Sequence, residues 1–152
     1  MRSPHYGMIM ANQIFQYNLV IKECHLDFFG HVNNAVYLQL LEEARWDFCT
    51  RNGFGLKQMK ETAKGPIVLE VQLRFLREMT LRQNISIFSQ VISHNKKIGK
   101  LQQSIKDESG NTLLEAHFVM GFFNMETRKL VTPPQEWLSA IGVENHESNS
   151  FE

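Results

Sequence analysis

Cysteine is scarce in this chain: two residues in 152, Cys24 and Cys49. Two lone thiols make neither a metal-binding motif nor a disulfide framework. Cys24 and His25 are adjacent, as in a thiol–imidazole dyad. Neighbours on a strand point to opposite faces, however, so Cys24 is read as a small buried hydrophobe. A surplus of charge is also missing, since Lys plus Arg number 16 and Asp plus Glu number 16. Nucleic-acid binders normally carry an excess of positive charge, so that class is set aside. A local basic pocket for a phosphorylated ligand remains compatible with the balance. No apolar run approaches the ~20 residues that span a bilayer. The opening segment MRSPHYGMIMANQ lacks the apolar stretch of a secretory signal. The expectation is a cytoplasmic protein with no membrane span. Repeats, low-complexity tracts and linkers are absent too, and 43% of the residues are hydrophobic. One domain spanning 1–152 is expected, with an ordered core from about residue 12 to about residue 142 and flexible tails.

The hydrophobic periodicity changes along the chain. Phe15, Tyr17, Leu19 and Ile21 alternate in IFQYNLVIKE (14–23), which predicts a strand. From Asn34 to about Asn52 the spacing turns helical, with Tyr37, Leu40, Leu41, Ala44 and Phe48 on one face. Positions 39, 42, 43 and 47 fall on the polar side. Gly53 and Gly55 suit the end of that helix. Residues 56–66 read as a connector with a short helix ending at Gly65-Pro66. IVLEVQLRFLRE then predicts a strand with Ile67, Leu69, Val71, Leu73 and Phe75 on one face. Further strands are expected at 84–93, 98–107 and 112–124, the last apolar on nearly both faces and hence central. HNKK, ESGN and METRK read as turns, and 133–142 as a short helix that begins with proline and ends with glycine. One long helix and an antiparallel meander give an α+β domain. A sheet of this kind has two edges, and an edge invites pairing with a second copy.

The loop before the long helix concentrates polar residues: Asp27, Gly30, His31, Asn33 and Asn34. Asn33 is a favourable N-cap. The amide of Asn34 or its neighbours would then point outward at the positive end of the helix dipole, where an anion or a carbonyl turning anionic can bind. A tight turn at Gly30 would fold Asp27 back over this spot. A carboxylate beside such donors suits acyl transfer or hydrolysis, with the acid attacking directly or activating water. The plainer reading is that Asp, Gly and Asn are ordinary loop residues and Asn33 a simple cap.

The run Asp27-Phe28-Phe29-Gly30-His31-Val32-Asn33-Asn34-Ala35-Val36-Tyr37, followed by LQLLEEAR, resembles a known signature. It is that of the 4-hydroxybenzoyl-CoA thioesterase branch of the hotdog-fold thioesterases: Asp-x-x-Gly-His-Val-Asn-Asn-x-x-Tyr, then a helix ending Glu-Ala-Arg. The order of elements is similar from about residue 14 to about residue 134. The resemblance implies a hotdog fold, one long central helix wrapped by a curved antiparallel sheet of five or six strands. It implies a homodimer joined edge to edge, or a dimer of dimers, with active sites at the subunit interface. Asp27 would be nucleophile or general base, and the Asn34 N–H the oxyanion donor. Gly30 would permit the close turn, and His31 and Asn33 would shape the loop. Tyr37 matches the motif aromatic, although its helical face assigns it to the core. Glu43 lies roughly 13–15 Å from Asn34 along the helix, so it is read as a structural partner of Arg45 or of a strand residue. The chain departs from many relatives in having His25-Leu26 where a second acid or Thr precedes the key Asp. It also has LRQN in place of a Gly-Asp turn before the third strand.

The activity implied is hydrolysis of an acyl-CoA thioester, or of an acyl carrier protein thioester, to free acid and thiol. It would need water but no metal and no cofactor beyond the coenzyme A of the substrate. Phe28 and Phe29 would wall the acyl pocket or staple the helix. Lys96 and Lys97, on an exposed turn, would meet the phosphates. Two other readings stand beside this one. A hotdog dehydratase would need a different His loop and a helix carboxylate. A non-catalytic hotdog module would bind acyl-CoA or a partner protein without turnover. The acyl group itself, aliphatic or aromatic, is left open by these residues.

Overall fold

The computed structural model describes residues 13–144, and the flexible tails expected at both ends lie outside the described residues. The chain forms β1 (Ile14–Val20), a single 3-10 turn (Glu23–His25), α1 (Asn34–Arg51), α2 (Leu56–Thr62), β2 (Lys64–Phe75), β3 (Asn84–Asn95), β4 (Ile98–Asp107), β5 (Thr112–Asn124), β6 (Lys129–Leu130) and α3 (Gln135–Ala140). The strands make one antiparallel sheet in the order β1-β3-β4-β5-β2, with β6 paired to β5. The sheet curls around α1, which is the hotdog arrangement that the signature implied. The two-residue β6 was not expected, and it begins at the last residue of the METRK turn. No helix among the described residues is long and apolar enough to cross a membrane.

Helix α1 buries the predicted face, Tyr37, Leu40, Leu41, Ala44 and Phe48, and adds Cys49. Phe48 stacks on Phe15 of β1 with ring centroids 4.3 Å apart. Beneath the helix lie alternate residues of β5, including Leu114, Ala116, Phe118 and Phe122, all buried. A polar link crosses this apolar interface. Gln103 of β4 is fully buried. Its Nε2 donates to the Leu41 carbonyl (3.1 Å) and to Ser89 Oγ (2.8 Å). Its Oε1 accepts from the Arg45 guanidinium (3.0 Å), which also lies 4.6 Å above the Phe118 ring. A buried amide with all these partners satisfied fixes helix to sheet at one register.

The reading of β2 needs correction. The strand starts at Lys64, so Gly65-Pro66 opens it and does not end a helix, and it stops at Phe75. Proline is tolerated because β2 is an edge strand. A β-bulge at Leu69 shifts the register between Val68 and Glu70. Val68 faces Met120 and Val71 faces Phe118, on the core side, whereas Ile67 falls opposite Gly121. Ile67 and Leu69 therefore crowd Gly121 on the outer face. One uninterrupted alternation over 67–75 was the wrong period to carry through, because a bulge inserts an extra residue and flips the faces beyond it. Cys24 is likewise not a buried hydrophobe. It sits exposed in the 3-10 turn, outside any strand.

Replacing Gln103 with Ala removes three hydrogen bonds and strands the Arg45 guanidinium. The expected cost is about 2–4 kcal/mol of unfolding free energy. Urea denaturation of Gln103→Ala against the unchanged protein measures it. An equal midpoint would show that packing alone holds the helix.

Candidate active site

The loop from His25 to Asn33 is a small hairpin. The Asn33 N–H donates to the His25 carbonyl (3.0 Å), the Asp27 N–H to the His31 carbonyl (2.9 Å), and the Gly30 N–H to the Asp27 carbonyl (3.1 Å). Gly30 has φ +75°, and nothing lies within 4 Å of where a Cβ would stand. Its constraint is therefore conformational and not steric. The Val32 N–H donates to the Met79 carbonyl (3.0 Å), and His31 bridges to Thr80. The hairpin is thus pinned to the segment after β2.

This fold gives Asp27 two unlike oxygens. Oδ1 accepts from the Phe29 N–H (2.9 Å) and, more weakly, from the His31 N–H (3.4 Å). Oδ2 has no partner among the described residues. The next residues treat the helix start in the same selective way. Asn33 caps α1 by accepting the Ala35 N–H on its side-chain oxygen (2.9 Å), and the Val36 N–H takes the Asn33 carbonyl (2.9 Å). The Asn34 N–H is left without a partner among the described residues. A free carboxylate oxygen and a free helix-start amide thus occur on one pinned loop. Such a pair can deprotonate or attack on one side of a carbonyl and hold its developing negative charge on the other.

Two neighbours complete the loop. Tyr37 is buried and packs edge-on against Phe75, with ring centroids 5.1 Å apart. Burial raises the pKa of its hydroxyl, a hydrogen bond to the Met79 backbone opposes this, and the charges of Glu78 and Asp27 add to the rise. The core reading of Tyr37 holds, and its hydroxyl also senses the Asp27 charge. His31 Nε2 lies 3.0 Å from Glu78 Oε2, so the imidazole is held by an acid that sequence reading missed. Nothing local marks Glu78, because it meets His31 through the long-range bridge at Thr80.

Other expected residues fall elsewhere. Phe28 and Phe29 are 108% and 84% exposed, so neither staples the helix. Glu43 accepts a hydrogen bond from the Tyr17 hydroxyl on β1. That bond, with burial and the nearby acids Glu43 and Asp47, pushes the Tyr17 pKa up to about 12. Glu43 is therefore the structural partner of a strand residue, and Arg45 belongs to Gln103.

A cavity of about 370 Å³ opens under the second half of α1. Asp27, His31, Asn33 and Asn34 do not line it. Its exposed rim carries Glu42, Val68, Lys97 and Lys100, with Lys97 alone of the two predicted lysines. Lys96 turns the β3–β4 hairpin with φ 51°. The buried wall is formed by Phe48, Cys49, Phe122, Trp137 and Ile141. His94 also faces the cavity, and burial lowers its pKa. Burial pushes the Cys49 thiol up to about 12, with the Arg45 charge opposing. Along the helix the rim at Glu42 lies about 12 Å from Asn34, and Cys49 about 22 Å. Sequence reading did not find this chamber, because its lining is assembled from α1, four strands and the segment around α3. Among the described residues no group of three or more His, Cys, Asp or Glu side chains is placed to hold a metal ion.

Comparison with known proteins follows the same lines. The chain is 32% identical over 115 residues to the long-chain acyl-CoA thioesterase FadM of Escherichia coli (strain K12), covering 75% of this chain and 86% of that protein. The crystal structure of YbaW, a probable thioesterase from Escherichia coli, is similar with a TM-score of 0.74 and 30% identity, covering 84% of this chain and 98% of that one. The structure of SAV2348 from Staphylococcus aureus in complex with CoA shares the fold, with a TM-score of 0.79 and 21% identity over 89% of this chain and 84% of that one. Residues 10–141 match the family model of the thioesterase-like superfamily, and the chain belongs to that family.

Proposed function

We propose that the protein is an acyl-CoA thioesterase, releasing a free acid and coenzyme A thiol. The observation that carries this reading is the unpartnered Asp27 Oδ2 on the pinned hairpin together with the unpartnered Asn34 N–H at the start of the helix that follows it. The likeness to FadM supports a CoA thioester as the substrate class. The thioester carbonyl oxygen would sit on the Asn34 N–H. Asp27 would take a proton from water as the water oxygen attacks the carbonyl carbon, or attack that carbon itself. The C–S bond then breaks, and the thiolate leaves and is protonated. In the second route water hydrolyses the resulting anhydride. Phe28 and Phe29 would flank the substrate from their exposed positions, and Lys96 and Lys97 would offer charge to the phosphates.

The working unit we propose is a homodimer paired through β2. This edge exposes Val68, Leu69, Val71, Phe75 and Leu76. The strand is self-complementary in the antiparallel sense. With Gln72 on the two-fold axis, Glu70 falls opposite the partner's Arg74, and Val71 opposite the partner's Leu73. The Phe75 end, where Tyr37 and Asp27 gather, would then adjoin the partner's Val68 and so the mouth of the partner's cavity.

Each part has its own measurement. Thiol release should be followed over a panel of acyl-CoAs and an acyl carrier protein thioester. Asp27→Asn keeps an oxygen for the Phe29 and His31 amides, so the loop stays folded while turnover drops by roughly 10²–10⁴. Tight acyl-CoA binding without thiol release by the unmutated protein would instead establish a non-catalytic binding module. For the dimer, Glu70→Arg should weaken association roughly tenfold by placing like charges opposite each other at both symmetric pairs. The double variant Glu70→Arg/Arg74→Glu should restore it. Sedimentation velocity reads both, and indifference to either change would rule out pairing in this register.

A further inference from the structure

Asp27, His31, Asn33 and Asn34 do not line the chamber under α1, whose lining passes from exposed to buried residues. Its rim residues Glu42, Val68, Lys97 and Lys100 are exposed, whereas the opposite wall is buried. That wall is closed by α3. Trp137 packs edge-on against Phe54 (5.2 Å between centroids) and at a tilt against Phe122 (5.5 Å), and Phe54 meets Phe122 at 5.9 Å. Three mutually packed rings make a wall that does not yield easily. The short helix is held in place by tertiary contacts: Asn52 Nδ2 at the end of α1 donates to the Ala140 carbonyl (3.0 Å). Ile141, one residue past α3, extends the same wall.

We propose that α3 sets the length of acyl chain this protein accepts, with Trp137 and Ile141 as the specificity-determining residues at the closed end of the chamber. The proposal rests on the thioesterase reading above and deepens it. The chamber takes the tail of an unbranched aliphatic acyl group, entering at the rim from the thioester held at the partner's Asp27. Of the polar side chains in the lining, Arg45 is engaged by Gln103 and the Phe118 ring, and His94 stands beside Gly99 at the β3–β4 hairpin. At the closed end the lining is Phe48, Cys49, Phe122, Trp137 and Ile141. A hydroxyl or carboxylate at the end of the chain would lose its water there without a replacement partner. A chain that stops at Trp137 gains apolar burial for every methylene. One that is too long must leave its last methylenes in water or force the rings apart.

The test is a comparison of kcat/KM for octanoyl-, lauroyl-, palmitoyl- and stearoyl-CoA in two opposite variants. Trp137→Leu opens the wall and should move the preferred chain to a longer homologue, raising the ratio of longer to shorter substrates by about fourfold per methylene newly buried. Ile141→Phe fills the same end and should move it to a shorter one by a similar factor, lowering the ratio of stearoyl- to octanoyl-CoA hydrolysis. Thermal melts confirm that each variant is folded, and Ile141→Phe decides alone if Trp137→Leu is not. Equal losses at every chain length, or an unmoved preference in folded and active variants, overturn the ruler while leaving the thioesterase reading in place. An unmutated protein that releases thiol from no acyl-CoA removes the thioesterase reading and the ruler with it.

Discussion

The buried amide of Gln103 is the constraint on which the architecture turns. It grips α1 at its midpoint through the Leu41 carbonyl and the Arg45 guanidinium, and it reaches across the sheet to Ser89. A purely apolar interface would let the helix slide by a turn at modest cost. A satisfied polar network admits one register, since any slip leaves donors and acceptors dry. With the middle of the helix fixed, its two ends acquire different tasks. The N-terminal end meets the Asp27 hairpin, and the C-terminal half roofs the chamber. The Asp27 hairpin and the cavity are separated along α1 because one rigid rod positions both.

Much of this was legible in the residues. The face of α1 and the extents of β4 and β5 followed from period and turn chemistry, because each depends on local pattern, while β3 runs two residues into the expected HNKK turn, to Asn95. The loop was legible too: Asn33 caps, Gly30 turns with positive φ, and the Asn34 amide stays open. The failures share a different origin. The bulge at Leu69 is fixed by pairing with β5, which no window of β2 alone reveals. Cys24 sits on a 3-10 turn where a strand had been extended too far. Phe28 and Phe29 offer their rings to solvent, because the hairpin turns them away from α1 and no window of sequence shows which way a loop faces.

The chamber escaped sequence reading for the same reason on a larger scale. Its residues come from α1, β2, β3, β4, β5 and the segment around α3, and no two neighbouring motifs hint that they meet. Phe122 falls in a strand read as central and Trp137 in a short terminal helix, and neither pattern marks a pocket. The distinction between a core and a pocket is one of missing volume, and volume is a property of the assembled sheet and helix.

Cys49 lies on the wall of that chamber with its thiol pushed up to about 12. A sulfhydryl on a cavity wall is open to any electrophile or oxidant that enters, since a thiolate attacks both. Only the ionised sulfur is nucleophilic, and the dry wall keeps this one protonated throughout the physiological range. The apolar lining that gives the chamber its wall therefore also keeps this sulfur inert toward electrophiles and oxidants at neutral pH.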